Sequence, residues 1–234
     1  MVTQMVALGP EFALLPDDTE EALMGSMLHQ RVIVGTVNSA TRHSRRNDLG
    51  WKIGNQLKLI IPREHGLRPY QPSPDILIHT SPLVSDHQTS LNVNAYGPPA
   101  LAIEVCSPST ALEHDLDTFS YNAKPNAYAR AGIPEYLVFD PTGDLIPELI
   151  RAWRIGVHGF YEPWLPEADG RWHSALGISF APEGVQLRLY DAQGQLIPNN
   201  EDMDDILAAS EAELAASAAR IAELEAQLRR QQGE

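Results

Sequence analysis

The chain has 234 residues, of which 43% are hydrophobic and 21% charged, so it can bury one sizeable core and does not have a disordered composition. Its single cysteine excludes a disulfide framework or a cysteine-based zinc cluster within the chain, and the lack of an 18-residue apolar run or a secretory signal predicts a cytoplasmic protein with no membrane association. With a net charge of -14, the average surface of the chain should repel a polyanionic partner such as DNA.

The N-terminal part divides into an arm and a helix. Residues 1–19 are apolar and acidic and contain Pro10 and Pro16, which predicts an irregular arm. Asp17, Asp18 and Thr19 can cap a helix, and the run from Glu20 to about Ala40 has no proline. We therefore expect a long first helix there.

The next stretch departs from the acidic average. Between Arg42 and Arg68 there are seven basic residues against two acidic ones, a local charge of +5. Arg42, Arg45 and Arg46 are therefore candidates for contacts with a phosphate backbone. A solvated connection between a helix and a strand is the alternative interpretation of the same residues.

The middle of the chain predicts a mixed sheet. Apolar residues alternate with polar ones over Trp51–Ile61, which is typical of a half-buried strand. Short apolar runs at Asp75–His79, Ala100–Cys106 and Glu135–Asp140 are typical of central strands. Proline at the first position and glycine after the last predict a short helix from Pro125 to about Ala131.

Strand-like pieces follow at residues 149–155, 176–180 and 185–190, and the last two are separated by a Pro-Glu-Gly turn. We expect hairpins that extend the sheet and complete a domain spanning residues 20–198.

Residues 201–234 form a different kind of segment. An apolar residue recurs every seven positions, and two of the three intermediate core positions are serines. The first set is Leu207, Leu214, Ile221 and Leu228, and the second is Ser210, Ser217 and Leu224. This pattern predicts a C-terminal coiled coil and hence a homodimer or homo-oligomer. A solitary amphipathic helix folded back on the domain is the alternative.

Two carboxylates stand where burial is costly unless they have partners or a function. Asp75 opens one predicted strand, and Glu104 interrupts another. Side chains alternate along a strand, so Glu104 lies on the same face as the small residues Ala102 and Cys106. Two carboxylates at the ends of neighbouring strands suit Mg²⁺ or Mn²⁺, which activate water for phosphodiester hydrolysis. Lys124 can supply positive charge to the reaction.

One further polar residue lies on the first predicted helix. His29 has apolar neighbours there, so we expect a hydrogen-bonded histidine rather than a metal ligand.

The order and spacing of these pieces resemble the Uma-type family of restriction endonucleases, common in cyanobacteria, within the PD-(D/E)XK nuclease superfamily. The resemblance covers about residues 20–198. The residues that resemble the family are Pro74-Asp75, Ile103-Glu104-Val105-Cys106-Ser107-Pro108-Ser109-Thr110, Lys124 four residues before Tyr128, and Ala131-Gly-Ile-Pro-Glu-Tyr136-Leu-Val-Phe-Asp-Pro141. Two shorter matches lie on either side of them, Leu28-His29-Gln30 upstream and Leu176-Gly177-Ile178-Ser179-Phe180 downstream.

The resemblance implies an α/β fold, a mixed-sheet restriction-endonuclease-like core with flanking helices. It also implies a Mg²⁺- or Mn²⁺-dependent endonuclease acting on DNA. Asp75 and Glu104 match its metal-binding acids and Lys124 its catalytic lysine. Glu21, or less well Glu20, matches an acid on the first helix.

The chain departs from the superfamily pattern at one important position. The motif places lysine two residues after the second acid, where this chain has Cys106. A catalytically inactive binding or assembly protein on a nuclease-like scaffold is therefore the main alternative function. A hydrolase of a smaller phosphorylated substrate fits the net charge, but the sequence has no recognisable phosphate loop.

Overall fold

The computed structural model describes residues 20–63, 68–106 and 124–232, with side chains described from residue 27 to residue 231. The predicted arm at residues 1–19 lies outside this part of the chain. In these residues the helices are α1 (Glu20–Arg46), α2 (Val93–Tyr96), α3 (Lys124–Arg130) and α4 (Asn200–Gln232). The strands are β1 (Lys52–Asn55), β2 (Lys58–Ile60), β3 (Ile76–His79), β4 (Ser90–Asn92), β5 (Leu101–Val105), β6 (Glu135–Phe139), β7 (Ile150–Ile155), β8 (Tyr161–Pro163), β9 (Trp172–His173), β10 (Ser179–Glu183), β11 (Gln186–Tyr190) and β12 (Leu196–Ile197).

A six-stranded mixed sheet in the order β1-β3-β5-β6-β7-β8 forms the centre of the domain. Its neighbours are antiparallel except β5 and β6, which are parallel and are connected through α3. Every residue of β5 and β6 is buried, as expected for strands covered on both faces. The predicted mixed sheet with flanking helices is thus confirmed.

Different elements cover the two faces of the sheet. On one face, α1 contributes Val32 and Ile33 to a core shared with the four-stranded sheet β12-β11-β10-β9. On the other face, α3 and the parallel β2–β4 pair enclose a second core that includes Tyr128 and Tyr136. Each fully buried side chain of this size contributes about 1.5–3 kcal/mol, so both layers hold the sheet in place.

The structure corrects several predicted elements. Trp51–Ile61 is not a single strand, because Gln56 adopts a left-handed conformation with φ of 51° and turns the chain. As a result β1 pairs with β3 in the central sheet, whereas β2 pairs with β4. Helix α1 continues past Ala40 to Arg46, because Ala40 and Ser44 still pack against the domain.

The C-terminal hairpins are present, but most of them do not extend the central sheet. Only β7 and β8 do so, whereas β9–β12 form the separate sheet that packs beside α1. The strand predicted at residues 176–180 begins at Ser179, because Gly177, with φ of +77°, is part of a turn.

Helix α4 begins on the domain and then leaves it. Asn199 and Asp202 form a reciprocal capping box, with Asp202 N donating to Asn199 Oδ1 and Asn199 N to Asp202 Oδ2. Farther along, Leu207, Leu214 and Ile221 are 57–67% exposed, so the alternative of a helix folded back on the domain is wrong. No helix in the described ranges is long and apolar enough to cross a membrane.

Candidate active site

The two predicted acids lie side by side at one end of the central sheet. In the antiparallel β3–β5 pair, Ile76 is opposite Ile103, so Asp75, one residue before β3, lies opposite Glu104. Residues directly opposite on antiparallel strands have Cβ atoms about 4.5–5.5 Å apart on the same face. The structure therefore brings the two carboxyl groups together.

Asp75 is held by two hydrogen bonds to the same oxygen. Its Oδ2 accepts a bond of 2.9 Å from the backbone N–H of Val105 and one of 3.1 Å from His29 Nε2. Burial raises the pKa of Asp75, but the His29 and Val105 bonds lower it by more, so the net shift is downward. Asp75 is therefore ionised at neutral pH.

His29 reaches this end of the sheet from α1. Its Nε2 lies 3.1 Å from both Asp75 Oδ2 and the carbonyl oxygen of Val105, so this nitrogen carries a proton and donates toward two acceptors. The hydrogen bond to Asp75 is the main cause that raises the pKa of His29, and burial opposes it. The residue is thus hydrogen-bonded, as expected, and it also orients Asp75.

Glu104 has a partner for each of its carboxyl oxygens. Lys124 Nζ lies 3.2 Å from Oε2, and the Tyr128 hydroxyl donates a 2.8 Å bond to Oε1. Burial raises the pKa of Glu104 to about 7; Lys124 opposes this effect, and the neighbouring charge of Asp75 adds to it. The carboxyl group therefore changes its protonation state near neutral pH.

Helix α3 positions both partners of Glu104. Lys124 is its first residue and Tyr128 lies one turn later, so the two side chains are on the same helix face. Ala127 and Tyr128 are fully buried, which fixes α3 against the sheet. A lysine thus reaches Glu104 from a helix and not from position 106, where Cys106 is a small buried residue.

The described side chains offer a small set of oxygen donors for a metal ion. Among them no group of three or more His, Cys, Asp or Glu residues is arranged to hold a metal. Magnesium, however, usually keeps several waters and needs only one or two carboxylates. Asp75 fits this requirement, since its Oδ1 accepts no hydrogen bond from the residues the structure describes. Glu104 can be the second carboxylate if the ion shares its oxygens with Lys124 and Tyr128. The side chain of Glu21 lies outside the described side chains.

The three candidate arginines lie elsewhere. Arg42, Arg45 and Arg46 line a groove of about 570 Å³ between α1 and the start of α4, where Arg42 donates to Asn200 Oδ1. Thirteen residues of helix separate His29 from Arg42, which corresponds to about 20 Å. The structure therefore does not bring these arginines to the acids.

Tyr128 was not among the predicted site residues, so its contact with the Glu104 carboxyl group was missed. Tyr128 is indeed fully buried, but its hydroxyl also binds Glu104. The signal was its spacing of four residues from Lys124, which puts both on one face of a helix. That signal becomes informative only once the helix is known to face Glu104.

Comparison with known proteins gives one family match. Residues 9–163 match the model of the Uma2 family, described as "Putative restriction endonuclease". Among solved structures, a chain described as a putative nuclease belonging to DUF820 from Anabaena variabilis ATCC 29413 is 13% identical, with a TM-score of 0.39. The match covers 58% of this chain and 66% of that one, just under two thirds of its length. The comparison with curated proteins found no match.

Proposed function

Since this chain belongs to the Uma2 family, we propose that it is a divalent-metal-dependent endonuclease that hydrolyses phosphodiester bonds in DNA. The observation that carries the proposal is the convergence of three side chains at one sheet end. Asp75 lies opposite Glu104, and Lys124 Nζ is 3.2 Å from the Glu104 carboxylate. An acid, a second acid and a lysine from three elements thus meet in one place.

Asp75 and Glu104 would hold Mg²⁺ or Mn²⁺, and Glu21 on α1 is proposed as a third acid. When bound, such an ion polarises a phosphodiester and lowers the pKa of water. Lys124 places positive charge beside the reacting phosphate. His29 and the N–H of Val105 fix the Asp75 carboxylate in one orientation.

We also propose that Arg42, Arg45 and Arg46 contact the DNA backbone away from the cleaved bond. The distance of about 20 Å along α1 corresponds to about six base pairs at 3.4 Å each. Arg45 and Arg46 are exposed and available for such a contact. In addition, we propose that the exposed apolar positions of α4 mediate self-association.

The second candidate is an inactive scaffold that binds or assembles through α4. Two observations favour it, namely Cys106 at the usual lysine position and the engagement of both Glu104 oxygens by Lys124 and Tyr128. A metal ion would have to share Glu104 with these two partners.

Plasmid cleavage tests the proposal. Purified protein is incubated with supercoiled plasmid and Mg²⁺ or Mn²⁺ at several salt concentrations, beside Asp75→Asn, Glu104→Gln and Lys124→Met. We expect nicking by the wild type and losses of at least 100-fold in the three variants, while Glu167→Gln, at an exposed carboxyl, cleaves normally. Equal cleavage by all proteins, or no cleavage under any condition, would refute the catalytic role.

Calorimetric titration with Mg²⁺ separates the two candidates without relying on cleavage. If the chain is an enzyme, Mg²⁺ binding should release or absorb heat, and Asp75→Asn and Glu104→Gln should each reduce that heat. The inactive scaffold should give none that depends on either acid.

A further inference from the structure

Helix α4 carries a row of core positions that its own domain leaves uncovered. We define the α4 seam as Leu207, Ser210, Leu214, Ser217, Ile221, Leu224 and Leu228. The five large apolar members are 51–67% exposed. Helices gain most of their stability in proteins from packing an apolar face, so the 33-residue helix needs a partner along this seam.

We propose that the partner is a second copy of the chain, and that the two α4 helices pair antiparallel with Leu207 of one copy against Leu224 of the other. This orientation rests on the self-association proposed above. Two features of α4 favour this orientation, namely the composition of the seam and the distribution of charge along the helix.

The composition of the seam distinguishes the two orientations. In a parallel pair each position faces itself, so Ser210 and Ser217 would form two layers in which a hydroxyl faces a hydroxyl. In the antiparallel register Ser210 faces Ile221 and Ser217 faces Leu214 of the partner copy. Every serine then lies opposite a large aliphatic side chain, and small and large residues interdigitate as in a packed core.

The same register extends the contact to both ends of the helix. It places Met203 against Leu228 of the partner copy, and Met203 lies before the first seam position. Both copies therefore contribute their full helix length, and no seam residue from Leu207 to Leu228 is left without an opposite residue.

Charge along α4 favours the same orientation. Residues 201–213 contain six acidic and no basic residues, whereas residues 220–232 contain three arginines and two glutamates. A parallel pair would place six acids beside six acids at the 8–10 Å separation of packed helices, comparable with the Debye length of about 8 Å. The antiparallel pair places each acidic half beside a half with net charge +1.

Individual flanking contacts do not decide the orientation. In the antiparallel register Glu213 faces Arg220 of the partner copy, an attraction, but Asp204 faces Glu225, a repulsion of similar size. We therefore infer the antiparallel orientation from the seam and from the overall charge distribution.

Cysteine cross-linking tests the register. Ser210→Cys and Ile221→Cys are prepared as separately tagged chains, expressed alone and together, and oxidised mildly; the wild type, whose single Cys106 is buried, is the control. We expect disulfide-linked mixed dimers, joined between the two substituted positions, only in co-expression. Neither variant should cross-link when it is expressed alone. In a dimer of one variant the two introduced thiols are 11 residues apart along the helix pair, about 16 Å, which is too far for a disulfide.

Light scattering separates the possible failures. A monomeric wild-type chain would refute self-association through α4 altogether. A dimer in which Ser210→Cys cross-links to itself would keep self-association but overturn the antiparallel orientation. A dimer without either disulfide would overturn the register.

Discussion

Raising the pH from 5 to 8 should destabilise the wild-type chain relative to Glu104→Gln by about 3 kcal/mol. Burial raises the pKa of Glu104 from 4.5 to about 7, so between these values the folded state holds a proton that the unfolded state has released. Stability therefore falls as the pH rises through this window. Each pKa unit corresponds to 1.36 kcal/mol, which gives about 3 kcal/mol for this group.

Urea unfolding of both proteins at pH 5, 6, 7 and 8 measures this effect. The free-energy difference between Glu104→Gln and the wild type should increase with pH and level off above about pH 7. Glu167→Gln is the control, because an exposed carboxyl loses little hydration on folding and its difference should stay constant. A difference for Glu104→Gln that is flat between pH 5 and 8 would refute the argument that burial dominates at this carboxyl.

Three further measurements examine the same contacts. Saturating magnesium should move the midpoint of the Glu104 effect below pH 7, because a bound cation favours the ionised carboxylate; an unchanged midpoint would contradict its role as a ligand. Tyr128→Phe should cost about 1–3 kcal/mol in urea unfolding, because Glu104 Oε1 loses its buried donor. Glu135→Ala should cost about 1–3 kcal/mol, because the Ala175 N–H and the Ser174 hydroxyl lose their buried acceptor, whereas Glu148→Ala at an exposed ion pair should change stability by less than about 1 kcal/mol.

The sheet could be predicted because its central strands are apolar at nearly every position. Leu101–Val105 and Glu135–Phe139 were found within one residue of their ends, since a strand buried on both faces leaves a continuous pattern. The break at Gln56 was not predictable, because alternation continues through it while the backbone turns. Whether the later hairpins join the central sheet depends on distant contacts with α1, which no local pattern records.

For the candidate site, the sequence was sufficient to predict the two acids and the strands on which they lie. Asp75 and Glu104 each flank or interrupt an apolar run, and a short antiparallel pairing is enough to bring them together. The position of Lys124 was not predictable, since it depends on how α3 packs between β5 and β6. The arginines were expected to contact a phosphate backbone, and α1 runs on to Arg46 and carries them to the end of the helix farther from the acids.

The way α3 binds Glu104 bears on the choice between enzyme and scaffold. Lys124 and Tyr128 occupy both oxygens of a carboxyl that is 2% exposed, and the raised pKa of Glu104 means that its ionised form is disfavoured by burial. A buried ion pair of this kind is often no more stable than apolar side chains of the same volume. Stability alone therefore gives no reason for an acid, an ammonium group and a hydroxyl to meet beside Asp75. Catalysis supplies such a reason, because a site for a cation and a phosphate uses carboxylates and an ammonium group. The same contacts favour the inactive scaffold if Mg²⁺ cannot replace Lys124 or Tyr128 at Glu104, and the magnesium titration decides between these two outcomes.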